Sequence, residues 1–181
     1  STVKRLDNEA FYNCSNLTTV TLNKGLEEIG ASCFTNCAKL KSITLPDSLV
    51  TLETYAFSNC KAMTKIVIGN GLSVIGYGAF RECSKVAELL LGSSVTEIQG
   101  SGFYGCSSLT EVTLPDSVRK LGDAAFGNCQ ALKKITLNSG LESMGTSSFY
   151  KTSLTSVKIP NSVVSISNAA FRECQALQCG P

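Results

Sequence analysis

Residues 43–60 read Ile43-Thr44-Leu45-Pro46-Asp47-Ser48-Leu49-Val50-Thr51-Leu52-Glu53-Thr54-Tyr55-Ala56-Phe57-Ser58-Asn59-Cys60. Three steps of 23 further on, the chain repeats the phrase as Val112-Thr113-Leu114-Pro115-Asp116-Ser117-Val118, then Leu121-Gly122, then Ala125-Phe126-Gly127-Asn128-Cys129. The same step links Phe11, Phe34, Phe57, Phe80, Phe103, Phe126 and Phe149, with Phe171 following after 22. Six cysteines, Cys14, Cys37, Cys60, Cys83, Cys106 and Cys129, keep the step of 23 throughout. The seventh unit has lost one residue just after Thr152, and Thr152 itself fills the cysteine slot. A fixed period of this length is the signature of a repeat architecture.

Within one unit two apolar patterns alternate. The first has period two: Val20/Leu22, Ile43/Leu45, Ile66/Ile68, Leu89/Leu91, Val112/Leu114, Ile135/Leu137 and Val157/Ile159. Such alternation reads as a short strand with one face buried. It is closed by Asn23, Pro46, Gly69, Gly92, Pro115, Asn138 or Pro160, residues that end strands. The second is an i, i+3 pair such as Leu26/Ile29 or Leu72/Ile75. The small-Phe-x-x-Cys piece is too short for an independent helix and is expected to form one helical or 3₁₀ turn. One unit cannot enclose its own apolar side chains, but stacked units bury them in ladders. The expectation is an α/β-type repeat solenoid of about eight coils, with short parallel strands on one face and short helical turns on the other. It covers residues 1–181 as a single unit, cut from a longer array without clear caps.

Composition narrows the function. The chain has 181 residues, a net charge of +2 and no histidine. Lack of imidazole excludes Ser-His-acid and Cys-His nucleophile systems and histidine-dependent metal sites. The near-neutral charge argues against nucleic-acid binding by phosphate neutralisation. No stretch approaches the length of an apolar membrane span. No cofactor, metal site or catalytic constellation is expected, and the chain is read as no enzyme.

The linked positions Leu-x-x-Val-x-Leu, Pro-Asp-Ser, Leu-Gly and Ala-Phe-x-Asn-Cys resemble the BspA-type leucine-rich repeat of bacterial and protist surface proteins. In place of the Asn or Cys usual in other leucine-rich repeats stand Gly25, Ser48, Gly71, Ser94, Ser117, Gly140 and Ser162. What the resemblance implies is a non-catalytic protein-recognition module in a cell-surface or secreted, adhesin-like protein, and a cell-surface or extracellular location. The alternative is a structural spacer or a self-assembling rod, since the open ends also admit end-to-end self-association.

Seven of the nine cysteines share one slot, and the simplest reading is a buried ladder of small apolar side chains. Cross-linking between neighbouring coils is the other, because stacked Cα atoms fall within disulfide range. Cys33 takes the small-residue slot before Phe34, and Cys179 lies outside the ladder.

In a repeat protein the positions that vary between units carry specificity. Two strand columns point away from the core: Thr19, Ser42, Lys65, Glu88, Glu111, Lys134, Ser156, and Thr21, Thr44, Val67, Leu90, Thr113, Thr136, Lys158. Both are mostly small and hydroxylic at their ends. In the middle, Val67 and Leu90 form an apolar pair flanked by Lys65, Glu88 and Glu111. With Thr44 and Thr113 these residues are the candidate contact surface for a protein partner, on the face that leucine-rich repeats present as concave.

Overall fold

The computed structural model describes residues 2–178. Cys179 lies outside them. In chain order the strands are β1 (Arg5–Leu6), β2 (Glu28–Ile29), β3 (Ser42–Thr44), β4 (Thr51–Leu52), β5 (Lys65–Val67), β6 (Val74–Ile75), β7 (Glu88–Leu90), β8 (Glu97–Ile98), β9 (Glu111–Thr113), β10 (Lys120–Leu121), β11 (Lys134–Thr136), β12 (Ser143–Met144) and β13 (Ser165–Ile166). Every pairing among them is parallel and joins residues one coil apart, as in Ile43 with Ile66 and Ile66 with Leu89. The molecule is therefore a parallel β-solenoid of about seven turns with the 23-residue period read from the sequence.

Each coil has three sides. The period-two strands form the first side, in the orders β3-β5-β7 and β11-β9. The i, i+3 pairs form the second, in the orders β1-β2-β4 and β13-β12-β10-β8-β6. Their inward residues, Ile29, Leu52, Ile75, Ile98, Leu121 and Met144, are buried. The phenylalanine segment forms the third side, and here the expected helical turn is corrected. No α- or 3₁₀-helix occurs among the described residues. Instead the backbone runs as overlapping turns with a left-handed residue two before and two after each phenylalanine, such as Tyr55 (φ 56°) and Asn59 (φ 58°) around Phe57. Two left-handed residues only four apart cannot belong to a right-handed helix.

The gain from this conformation is in hydrogen bonding. Alternate N–H groups bond within the coil, as from Ser58 to the Tyr55 carbonyl at 3.0 Å. The intervening ones donate to the next coil: Tyr55 to Tyr77 O, Phe57 to Ala79 O and Asn59 to Arg81 O, each at 2.8 Å. The pattern recurs in every coil down to Lys151 N–H donating to Arg172 O at 3.1 Å. A helix would have turned all of these groups inward along its own axis and left successive coils unlinked.

The core is a set of ladders. Phenylalanine rings stack from Phe11 to Phe171 with centroids 4.9–5.9 Å apart and planes within 9° of parallel. The cysteine column packs beside them. The serine slot also acquires a role. Ser48 Oγ donates to the Leu26 carbonyl and Ser117 Oγ to the Val95 carbonyl, both at 2.6 Å, and Ser162 Oγ to the Leu141 carbonyl at 2.7 Å. At these three positions a hydroxyl reaches back one coil and ties it to its neighbour.

The first side is less regular than the sequence suggested. Residues 19–21 and 156–158, expected as strands, form no strand ladder. Residue 156 follows the single-residue deletion after Thr152. In the middle, β7 and β9 are not paired either.

Candidate functional site

Thr44, Lys65, Val67, Glu88, Leu90, Glu111 and Thr113 all lie on first-side strands, and all point outward because strand side chains alternate. Register places Lys65 beside Ser42 and Glu88, and Val67 beside Thr44 and Leu90. Lys65 Nζ forms an ion pair with a Glu88 carboxylate oxygen at 2.7 Å. Glu111 stands in register with Lys134, and Thr113 with Thr136. Leu90 is 50% exposed, whereas Val67 is partly covered.

The structure thus divides the seven residues. Thr44, Lys65 and Val67 belong to one continuous sheet with β7. Glu111 and Thr113 belong to the next sheet. Glu88, Leu90, Glu111 and Thr113 line a crevice of about 430 Å³ between the two. Its floor is Leu89 and Leu91, which are only half-buried. Their counterparts Ile43, Leu45, Ile66, Ile68, Val112 and Leu114 are buried, while Val20, Leu22, Leu137 and Val157 nearer the ends are partly buried as well.

A second surface was missed in the sequence. Tyr55 and Tyr77 are exposed on the turn side and meet edge to face at 5.5 Å. Arg81 lies over the Tyr104 ring at 4.7 Å. Each ring occupies space left by a glycine one coil on. A Cβ on Gly78 would lie 2.5 Å from the Tyr55 ring, one on Gly100 would lie 2.9 Å from Tyr77, and one on Gly127 would lie 3.1 Å from Tyr104. The signal was present as Tyr at one position and Gly 23 later.

The described cysteines are free thiols, and all but Cys14 are buried. From Cys37 onward each ladder thiol donates to the phenylalanine carbonyl of the preceding coil: Cys37 to Phe11, Cys60 to Phe34, Cys83 to Phe57 and Cys129 to Phe103 at 3.2 Å, Cys106 to Phe80 at 3.5 Å, and Cys174 to Phe149 at 3.1 Å. Burial pushes the Cys37 and Cys129 thiols up to about 12 and Cys33 up to about 11. Burial likewise raises Cys106, while contact with the Cys83 thiol and then burial raise Cys60. Thiols held protonated in this way are poor nucleophiles and poor metal ligands. Thr152 keeps the ladder polar contact, its hydroxyl lying 3.1 Å from the Cys174 sulfur. Among the described residues no cluster of acidic or thiol side chains is arranged to hold a metal ion, and no helix is long and apolar enough to cross a membrane.

The BspA-type leucine-rich repeat model matches in six copies over residues 1–109 and 96–178. The chain belongs to the BspA-type leucine-rich repeat family. This BspA-type chain superposes on a leucine-rich cell surface protein from Faecalibacterium prausnitzii with a TM-score of 0.77 and 29% identity, covering 98% of this chain and 47% of that one. It superposes on the T. pallidum leucine-rich repeat protein with a TM-score of 0.77 and 30% identity, covering 96% and 71%. A leucine-rich repeat protein from Bacteroides ovatus shares the fold at 23% identity and a TM-score of 0.69, covering 96% and 57%. The BspA-type module spans about half the length of the F. prausnitzii protein. No curated protein matches it.

Proposed function

We propose that this repeat module is a non-catalytic, protein-recognising part of a cell-surface or secreted adhesin-like protein. Its contact surface is the outward strand face at Thr44, Lys65, Val67, Glu88, Leu90, Glu111 and Thr113. The observation that carries the reading is Leu90, half exposed beside Val67 on a face otherwise covered by hydroxyls and charges. An apolar spot with a polar rim is the usual anatomy of a contact centre. The family is a repeat-scaffold family, and one similar structure is described as a cell surface protein, which supports the location.

The test uses purified extracellular-matrix and host-surface proteins arrayed against the immobilised chain. A bound partner should lose about tenfold or more in affinity to the double variant Val67→Glu, Leu90→Glu, the size expected for disrupting an apolar contact centre. Unchanged affinity would move the contact surface elsewhere. The spacer reading has one observation in its favour, the unbroken phenylalanine stack from one end to the other. It is favoured if no arrayed protein binds while the chain stays folded.

A further inference from the structure

The crevice between β7 and β9 coincides with a like-charge step. Along the first outward column the register gives Lys65 beside Glu88 and Glu111 beside Lys134. These are attractive pairs. The step between them, Glu88 to Glu111, would set two carboxylates directly across neighbouring strands. Like charges in that position oppose pairing. The backbone is open at this step, as it also is without facing like charges between Thr21 and Thr44, between Lys134 and Ser156, and between β4 and β6. Ala87 N–H bonds Thr64 O and Lys133 N–H bonds Thr110 O, both at 2.9 Å. No equivalent bond joins Thr110 to Ala87 among the described residues. Likewise Leu45 donates to Val67 O and Ile68 to Leu90 O at 2.8 Å, and Leu114 to Thr136 O at 3.0 Å. Leu91 makes no such bond to Thr113. The coils stay joined on their other sides, where β6 pairs with β8 and the Phe80 and Phe103 rings stack at 5.4 Å. The opening is therefore a seam in one face.

We propose that this seam receives an extended segment of a protein partner, with an apolar side chain over Leu89–Leu91 and a Lys or Arg between Glu88 and Glu111. The inference rests on the strand-face reading above and specifies its ligand. Two unpaired strand edges offer main-chain donors and acceptors to an extended peptide. Two partly buried leucines offer a floor for its apolar side chain. Glu88, which already pairs with Lys65, and Glu111 flank the seam and offer a position for a cation, and a charge-assisted contact is stronger than a neutral one. Charge complementarity therefore selects a basic and apolar segment and rejects an acidic one.

The experiment has two arms on the whole chain. In the free protein, hydrogen exchange should show the Leu91 and Thr110 amides exchanging about tenfold or more faster than their paired equivalents Leu45 and Lys133. Equal protection would close the seam and overturn the proposal, while leaving strand-face recognition to be judged by the Val67/Leu90 variant. In the second arm, a fluorescein-labelled eight-residue peptide alternating Leu and Lys should bind at least about tenfold more tightly than one alternating Leu and Glu. Its binding should protect residues 88–91 and 110–113. Leu90→Ser should weaken it about tenfold or more, and Glu111→Gln should both weaken it and slow exchange at Leu91. Equal binding of the two peptides, or binding untouched by both variants, would overturn the proposal.

Discussion

The phenylalanine side and the first strand side of the same coils are held together in opposite ways. On the phenylalanine side the Phe slot never changes and the cysteine slot changes only at Thr152, every coil bonds the next, and the rings stack without a gap. On the strand side the outward residues change from coil to coil and the sheet breaks in the middle. The difference teaches how a solenoid separates stability from specificity. Where neighbours are identical, a favourable pair is favourable at every step. Where they vary, some steps are unfavourable, and the structure tolerates them because another side bears the load.

The sharpest way to break this comparison is to remove one ring. Phe103 is fully buried between Phe80 and Phe126, at 5.4 Å from each. Phe103→Ala deletes a ring's apolar burial and two stacking contacts, and should cost about 3–5 kcal/mol. Chemical denaturation monitored by circular dichroism would measure it. A cost below about 1 kcal/mol, the size of a surface change, would mean that the stack is not what joins the coils.

The thiol ladder gives the next largest effect, and it depends on pH. Cys37 and Cys129 are raised from the ordinary value of 9.0 to about 12. Below the unfolded value both states hold the proton and the stabilisation is fully present. Between about 9 and 12 the unfolded chain releases protons that the folded chain keeps, so stability falls as pH rises. Each such thiol contributes a slope of at most about 1.4 kcal/mol per pH unit. Urea midpoints should therefore decline above about pH 9. Cys37→Ser with Cys129→Ser should make that decline shallower, separating the thiols from the lysines and tyrosines that also titrate there. An unchanged slope would show that burial does not hold these thiols neutral.

The repeat made most of this fold readable. A slot that holds Phe or Cys at a fixed step has one role, so the core ladders and the parallel register followed from spacing alone. The second strand side was only half legible, because an i, i+3 apolar pair suits a bend as well as a two-residue strand. The turn ribbon was misread as helical. Asn13, Asn36, Asn59 and Asn128 do favour left-handed φ, but Tyr55, Ser101, Ala124 and Lys151 adopt it without any local preference, because the inter-coil hydrogen bonds compensate for the strain. The candidate surface was located by its variability. Its division by a seam was not foreseen, although Glu88 and Glu111 stood one period apart in the sequence.

That compensation can be tested at a single residue. Asn128 has φ 58°, and its N–H donates to Tyr150 O at 2.6 Å. A β-branched residue there, Asn128→Val, should cost about 1–2 kcal/mol, since the left-handed region is poorly open to it. Asn128→Gly should lie within about 0.5 kcal/mol of the parent, because its easier φ is offset by its freer unfolded chain. Thermal unfolding of the pair measures the difference. Equal stability of the two would remove the left-handed ribbon as the reason for asparagine at this slot.

The smallest effect belongs to the strand face, and its smallness is the point. Lys65 and Glu88 are paired at 2.7 Å, yet their side chains are 44% and 51% exposed. A solvent-screened pair of this kind contributes about 0–1 kcal/mol. Lys65→Met should therefore change stability by less than about 1 kcal/mol, with little response to added salt. The contrast with Phe103→Ala is the consequence of the two-sided design. Outward strand residues can be exchanged at almost no cost to the fold, so they are free to follow a partner. A loss for Lys65→Met as large as that for Phe103→Ala would remove the distinction, because the strand face would then also be bearing the load.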